Sequence, residues 1–176
     1  MASPAPTPPQ GVYYLPCDSP GFLVRLVIDA IDLAIVALIV ITAIAVAWHS
    51  FTAESPGRDW TVLAGFIVGW IYLVPLKRSV GTLGYLIFGI QVVDLSGQPP
   101  GLLRLTARAL IPLVFNPIMD LLFISSDHSR QALRDKINGT YLIIRGAQIA
   151  GTGDFVYARL YYFNLNLLVR EVKRPE

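Results

Sequence analysis

The chain has 176 residues, of which 54% are hydrophobic and only 15% charged, whereas soluble domains carry roughly 25% charged residues. This composition disfavours a soluble globule and indicates a membrane protein whose main partner is the lipid bilayer. A formal net charge of +2 is too small for a nucleic-acid-binding surface, so we expect no nucleic-acid partner. The single cysteine, Cys17, excludes an internal disulfide and a thiolate metal site.

The N-terminal segment and the first apolar run differ sharply in composition. Residues 1–20 hold six prolines and cannot bury enough apolar surface to fold alone, so we predict a disordered tail there. The 27 residues from Phe22 to Trp48 contain three charges, all in the first eleven positions. Because a hydrocarbon core of about 30 Å needs about 20 helical residues, this run predicts the first transmembrane helix.

The second apolar run, Trp60 to Leu76, has 17 residues and no charge. It predicts a second transmembrane helix, near the short limit for crossing. Within it, Gly65 and Gly69 form a GxxxG pair, a spacing that permits close helix contact. Chance matches to this spacing are frequent, but the pair makes a homo-oligomer or a membrane-protein partner a hypothesis to test.

Glycines and prolines punctuate residues 77–104, where the run Gln91 to Asp94 favours a strand. A similar β-favouring run, Thr140 to Ile144, is also bounded by turn-forming residues. Both runs fall on the side of the membrane that the distribution of basic residues, described below, predicts to be cytoplasmic. We therefore predict that they form a small strand pair at that face.

The third apolar region, residues 105–124, is long enough to cross a membrane but is interrupted. It holds Arg108, Pro112, Pro117 and Asp120, and the two prolines each remove a backbone donor. Its longest uncharged stretch is also short for a span. We predict a broken or re-entrant helical element.

The basic residues predict the orientation of the chain. The 49–59 loop has only Arg58, whereas residues 125–176 carry eight Lys or Arg. By the positive-inside rule, the N-terminus and the C-terminus are both expected to be cytoplasmic, which fits a third element that re-enters. Residues 146–176 are predicted to be an amphipathic basic tail.

Three ionisable residues near the start of the first span lie on one helical face. Arg25, Asp29 and Asp32 are spaced i, i+4 and i+7, within an arc of about 60°. We expect this face to point into the protein, with Arg25 close enough to Asp29 to pair with it. Two acids against one arginine predict either a site for a cation, proton or polar ligand, or a polar lock in helix packing.

Asp120 is a second candidate, because an acid inside an apolar segment is costly unless it has a partner or a function. If the segment is re-entrant, however, Asp120 reaches only the membrane interface. The sequence contains no nucleophile, metal-binding or phosphate-loop pattern, so we expect no cofactor, no metal and no enzymatic activity.

Four separated blocks of the sequence resemble, in order, the RDD family of bacterial membrane proteins, which is named for one arginine and two aspartates. The blocks are Arg25–Asp32, Gly81–Gly84, Gly89–Asp94 with Gly97, and Arg130–Thr140. Arg108 matches an arginine that commonly follows the glycine-rich blocks, and the resemblance places the second name-giving aspartate at Asp135. The chain departs from the family at Tyr85, where lysine is usual, and at Arg134, where histidine is usual.

Together these observations predict an all-α membrane protein with two transmembrane helices, a broken or re-entrant third element and a small strand pair. The resemblance implies a membrane domain over residues 21–145 and a location in the bacterial inner membrane. It also implies transport of cations or small ligands, by the chain itself or as an accessory. The alternative is a non-transporting scaffold or assembly factor. The residues expected to form the polar centre are Arg25, Asp29, Asp32, Arg108, Asp120 and Asp135.

Overall fold

A computed structural model describes residues 10–115, 117–127, 129–162 and 165–174. Within these residues the chain forms helices and two small antiparallel sheets. The helices are α1 (Phe22–Ser50), α2 (Pro56–Leu73), α3 (Pro75–Ser79), α4 (Leu83–Ile87), α5 (Leu102–Val114), α6 (Pro117–Ser126) and α7 (Leu133–Asn138). The strands are β1 (Gln10–Tyr13), β2 (Ile90–Asp94), β3 (Thr140–Ile144), β4 (Gly151–Tyr162) and β5 (Leu165–Val172).

Helices α1 and α2 are long and apolar enough to cross a membrane. In the 18 most apolar consecutive residues, only 11% are buried for the helical segment that contains α1 and 17% for the one that contains α2. Large apolar side chains such as Leu33, Leu38 and Phe66 are more than half exposed. The core helix of a soluble protein would cover these side chains, so their exposure agrees with a lipid-facing surface.

The two long helices pack against each other where the second has no side chain. A Cβ added at Gly65 would lie 2.5 Å from the Cβ of Ala43, and one at Gly69 would lie 3.3 Å from Cγ1 of Val36. The GxxxG pair therefore brings α2 close to α1 of the same chain. An oligomer of this protein would need a different surface.

The third apolar element is broken, as its prolines predict. Helix α5 has 13 residues and α6 has 10, so they span about 20 Å and about 15 Å at 1.5 Å per residue. Neither helix alone crosses a core of about 30 Å. Helix α5 ends at Val114 and α6 begins at Pro117.

The predicted strand pair is confirmed. Strand β2 pairs with β3 in antiparallel register, from Ile90 opposite Ile144 to Asp94 opposite Thr140. The glycine that precedes β3, Gly139, ends α7 with a φ of 59°, a left-handed conformation that glycine adopts without strain. This turn sends the chain from α7 directly into the sheet.

The all-α prediction is wrong at both ends of the chain. Strand β1 lies inside the segment expected to be disordered, and β4 and β5 form a hairpin where a basic tail was expected. Strand β1 pairs with Gly151–Asp154 at the start of β4. Residues 155–172 are rich in aromatic and β-branched side chains, which favour strands over an amphipathic helix. Residues 1–9 of the predicted tail lie outside the described residues.

Candidate functional site

The centre of the site is Asp135, a fully buried acid in the first turn of α7. Its Oδ2 lies 2.5 Å from Nη1 of Arg25, at the start of α1. Its Oδ1 lies 2.6 Å from Nη2 of Arg108, in α5. One carboxylate thus joins three helices that are distant in sequence.

Arg25 is 1% exposed, so it does not extend to lipid headgroups. Besides Asp135, its guanidinium donates to the carbonyl of Pro20 at 3.1 Å and to that of Arg130 at 2.6 Å. The expected pair between Arg25 and Asp29 is not formed. The guanidinium instead ties the start of α1 to the segment that precedes α7.

The buried carboxylate remains ionised because arginines surround it. Burial raises the pKa of Asp135, but the positive charges of Arg108, Arg25 and Arg134 outweigh burial and hold that pKa well below its usual range. Arginine does not lose its proton in proteins. The pairs at Asp135 are therefore permanent charges at neutral pH.

Arg134 forms a second set of ion pairs next to the first. Its Nη2 lies 2.5 Å from Oδ2 of Asp29, and its Nε lies 3.2 Å from Oδ2 of Asp120. Its backbone N–H also donates to Oδ1 of Asp120 at 2.7 Å. Asp120, predicted to be a functional candidate or interfacial, is fully buried and anchors α6 to α7.

Asp32 occupies a separate subsite between α1 and the α3–α4 segment. Thr82 donates to its Oδ2 at 2.7 Å, and Nζ of Lys77 lies 3.3 Å from the same oxygen. Its Oδ1 accepts from the backbone N–H of Gly84 at 3.3 Å and from the hydroxyl of Tyr72 at 3.0 Å. Asp32 is 3% exposed, so these donors replace water around the carboxylate.

The glycine at position 84 makes this approach possible. A Cβ there would lie 3.0 Å from the carbonyl oxygen of Ile28 and 3.1 Å from Oδ1 of Asp32. Any side chain would push α4 away from α1. The glycine at the end of the Gly81–Gly84 block is therefore needed for the close packing of α4 against α1 beside Asp32.

Tyr85 connects the two subsites. Its hydroxyl accepts a hydrogen bond from Nη1 of Arg108 at 2.9 Å, and Nζ of Lys77 lies 4.3 Å from the centre of its ring. An ammonium over an aromatic face is attracted by the ring. Tyr85, which stands where the family usually has lysine, is thus part of the polar network.

Charges in this cluster are balanced. In the described part of the chain, the acids of the cluster are Asp29, Asp32, Asp120 and Asp135, and its cations are Arg25, Lys77, Arg108 and Arg134. Each acid lies within ion-pair distance of at least one cation. The excess negative charge expected from α1 alone is therefore neutralised by residues from other elements.

All six predicted site residues lie in this cluster, but the sequence did not predict the roles of Lys77, Tyr85 and Arg134. Periodicity predicts which residues of one helix share a face, whereas Lys77 lies 45 residues from Asp32 and Arg134 lies 105 residues from Asp29. One signal was available, because Asp29, Asp32 and Asp120 outnumbered the local cations. That imbalance could have indicated cations from distant elements.

A cleft of about 450 Å³ lies beside the cluster. Apolar side chains of α1, α2 and α5 line it, and we call them its walls. Its charged lining residues, which we call its floor, are Asp29, Asp32, Lys77, Arg108 and Arg134. Most of its lining is apolar, including Leu33 and Leu113. The charged floor is thus reached along apolar walls.

Two exposed apolar helices, with a buried arginine–aspartate cluster that joins the first of them to α5, α6 and α7, are the features of a small membrane-type protein. The chain belongs to the RDD family, whose profile matches residues 19–139, more than half of its length. The predicted membership is confirmed. No curated protein sequence and no solved structure shows significant similarity to the chain.

Proposed function

We propose that this protein is a multi-pass integral protein of the bacterial inner membrane, inserted through α1 and α2. The exposed apolar surfaces of these helices and the membership of the RDD family support insertion. Helices α5 and α6 do not cross singly, because each is shorter than the hydrocarbon core. They enter the membrane from the side that holds the sheets.

Both chain ends are proposed to be cytoplasmic. Strand β1 precedes the first span and β4 follows α6, yet Gln10 to Tyr13 pair with Gly151 to Asp154. Paired strands lie on the same side of a membrane. Since residues 125–176 are rich in Lys and Arg, the positive-inside rule makes that side the cytoplasm.

Within that topology, we propose that the protein acts as a non-transporting scaffold or assembly factor, and is not an enzyme. The observation that carries this role is the balance of four acids and four cations in the cluster. The cluster therefore has no excess negative charge that would hold a bare metal cation. Buried ion pairs are best known for fixing one arrangement of elements, and this cluster joins α1, α5, α6 and α7.

Transport of protons or small cations is the second candidate, and Asp32 supports it. Three of the four cations in the described cluster are arginines, but the partner of Asp32 is Lys77, a compact charge on a flexible stem that can move away from the acid. Both residues also line the cleft. A transport cycle would therefore use this subsite and leave Asp135 ionised.

Ion flux and stability together distinguish the two roles. The purified protein is reconstituted in liposomes, and flux of protons, Na⁺ and K⁺ is compared with protein-free liposomes and with the Asp32→Asn variant. The scaffold role predicts no flux above the protein-free control and a lower melting temperature for Asp32→Asn in detergent. Flux by the wild-type protein that Asp32→Asn abolishes at unchanged stability would establish transport and reject the scaffold.

A further inference from the structure

The cleft beside the ion cluster has the two-part chemistry of a lipid site. Leu33 and Leu113 on its walls are 68% and 80% exposed, so its sides open laterally where α1, α2 and α5 present apolar surface. Asp29, Leu33 and Val36 all line it, and their i, i+4, i+7 spacing runs from the charged floor into the apolar stretch of α1. A ligand that fills this space has a polar end and an apolar end.

The two most exposed charged side chains of the floor, Lys77 and Asp29, offer a donor and an acceptor to such a ligand. Lys77 has an ammonium with three N–H groups, and its contacts are Asp32 at 3.3 Å and the ring of Tyr85. Its side chain is 13% exposed. An N–H of Lys77 is therefore available to an anionic group in the cleft.

Asp29 supplies the acceptor. Its Oδ2 lies 2.5 Å from Nη2 of Arg134, yet its side chain is 31% exposed, the largest exposure among the four acids of the described cluster. A carboxylate accepts several hydrogen bonds. It can therefore accept from a ligand ammonium without losing Arg134.

From these observations we infer that the cleft binds one zwitterionic phospholipid with a primary amine, of the phosphoethanolamine type. The phosphate lies at Lys77, the ammonium lies at Asp29, and the acyl chains lie along Leu33, Val36 and Leu113. The two floor residues differ in charge. Lys77 of α3 contacts Asp32, and Asp32 lies three residues, about one helical turn, after Asp29 on α1. An ethylene linker separates the headgroup charges, which suits this short spacing. This inference rests on the proposed membrane insertion, which brings the open cleft into contact with lipid.

Lipid retention tests the site. The full chain is purified in mild detergent, supplied in turn with phosphoethanolamine, phosphocholine and phosphoglycerol lipids of the same acyl chains, and measured by native mass spectrometry. We expect one retained phosphoethanolamine lipid. The other two should bind about tenfold more weakly, because choline has no N–H to donate and phosphoglycerol has no cation. Equal retention of all three lipids would overturn the assignment.

Two matched pairs of variants locate the lipid. Lys77→Gln should reduce retention, whereas Arg78→Gln, at a neighbouring basic residue outside the cleft, should not. Leu113→Trp should block the cleft, whereas Leu103→Trp places the same ring on another exposed leucine of α5 and should leave retention unchanged. Because both leucines are exposed, these variants keep the fold. Equal retention in Leu113→Trp and Leu103→Trp would reject the cleft as the site.

Further measurements separate other outcomes. Displacement of the lipid by soluble phosphoethanolamine alone would show that the headgroup suffices, and would reject a lipid in favour of a small polar ligand. A dimer that retains no lipid would show that a second copy fills the cleft. Extraction of the chain from membranes by alkaline carbonate would reject insertion itself, whereas an inserted chain without headgroup preference would reject the lipid site alone.

Discussion

Arg25 and Asp135 lie 110 residues apart in sequence, yet Nη1 of Arg25 is 2.5 Å from Oδ2 of Asp135. Both side chains are buried. The pair fixes the start of the first long helix against α7, which continues into β3 and the β2–β3 sheet. The relative position of the helices and the sheet therefore depends on one ion pair and its neighbours.

Removal of this carboxylate should destabilise the protein strongly. Asp135→Asn leaves Arg25 and Arg108 without their shared anion, and breaking a buried pair on one side costs about 3–5 kcal/mol. We expect a lower melting temperature in detergent by scanning fluorimetry. Asp154→Asn is the matched control, because Asp154 is an exposed acid outside the cluster. Equal melting temperatures for the two variants would remove Asp135 from the centre of the fold.

The change in stability at low pH should also depend on Asp135. Its folded pKa is held well below the usual range by Arg108, Arg25 and Arg134, against the effect of burial. A lowered folded pKa gives stability that is fully present above the unfolded value of about 3.9 and is lost as pH falls toward the folded pKa. We therefore expect the stability difference between wild type and Asp135→Asn to be constant between about pH 5 and pH 7 and to shrink below about pH 4. A difference that shrinks already near neutral pH would contradict this assignment.

The sequence predicted local relationships well and distant ones poorly. Helical spacing placed Arg25 and Asp32 on one buried face, and β-favouring runs predicted the pairing of β2 with β3. The pairing of Arg25 with Asp135 instead of Asp29 depends on how α7 packs against α1, and no periodicity within one helix encodes that contact. The strands at both ends were not predicted because prolines and basic residues are typical of disordered tails. In the structure, β1 forms backbone hydrogen bonds with β4, and β4 with β5.

The close contact of the two long helices should tolerate no added methyl group at Gly65. A Cβ there would lie 2.5 Å from the Cβ of Ala43, so Gly65→Ala forces the helices apart at a cost of about 1–3 kcal/mol. The double variant Gly65→Ala with Ala43→Gly should recover part of that loss, because it exchanges the positions of the methyl group and the hydrogen. Thermal unfolding in detergent measures both effects. A double variant no more stable than Gly65→Ala alone would argue against direct contact at this point.

Of the two acids one turn apart on α1, Asp32 should matter more than Asp29. Asp32→Asn loses the ionic contact with Lys77 and disturbs the donors Thr82 and Gly84, with an expected cost of about 1–3 kcal/mol. Asp29 is about one-third exposed, and Arg134 keeps Asp120 when Asp29 is neutralised. Asp29→Asn should therefore cost below about 1 kcal/mol. Chemical denaturation of both variants in the same detergent compares them, and a larger effect at Asp29 would reverse the order.

Both ends of the chain should be protected from a reagent outside the cell, whereas the loop between the long helices should be accessible. The pairing of β1 with β4 places the two ends together, and the basic residues of the C-terminal segment favour the cytoplasm. In a Cys17→Ser background, a membrane-impermeant maleimide added to intact cells should label Glu54→Cys and leave Lys173→Cys unlabelled. After the cells are opened, Lys173→Cys should react, which shows that its thiol is accessible. Labelling of Lys173→Cys in intact cells would require the third element to cross once, and β1 could not then pair with β4 across the bilayer.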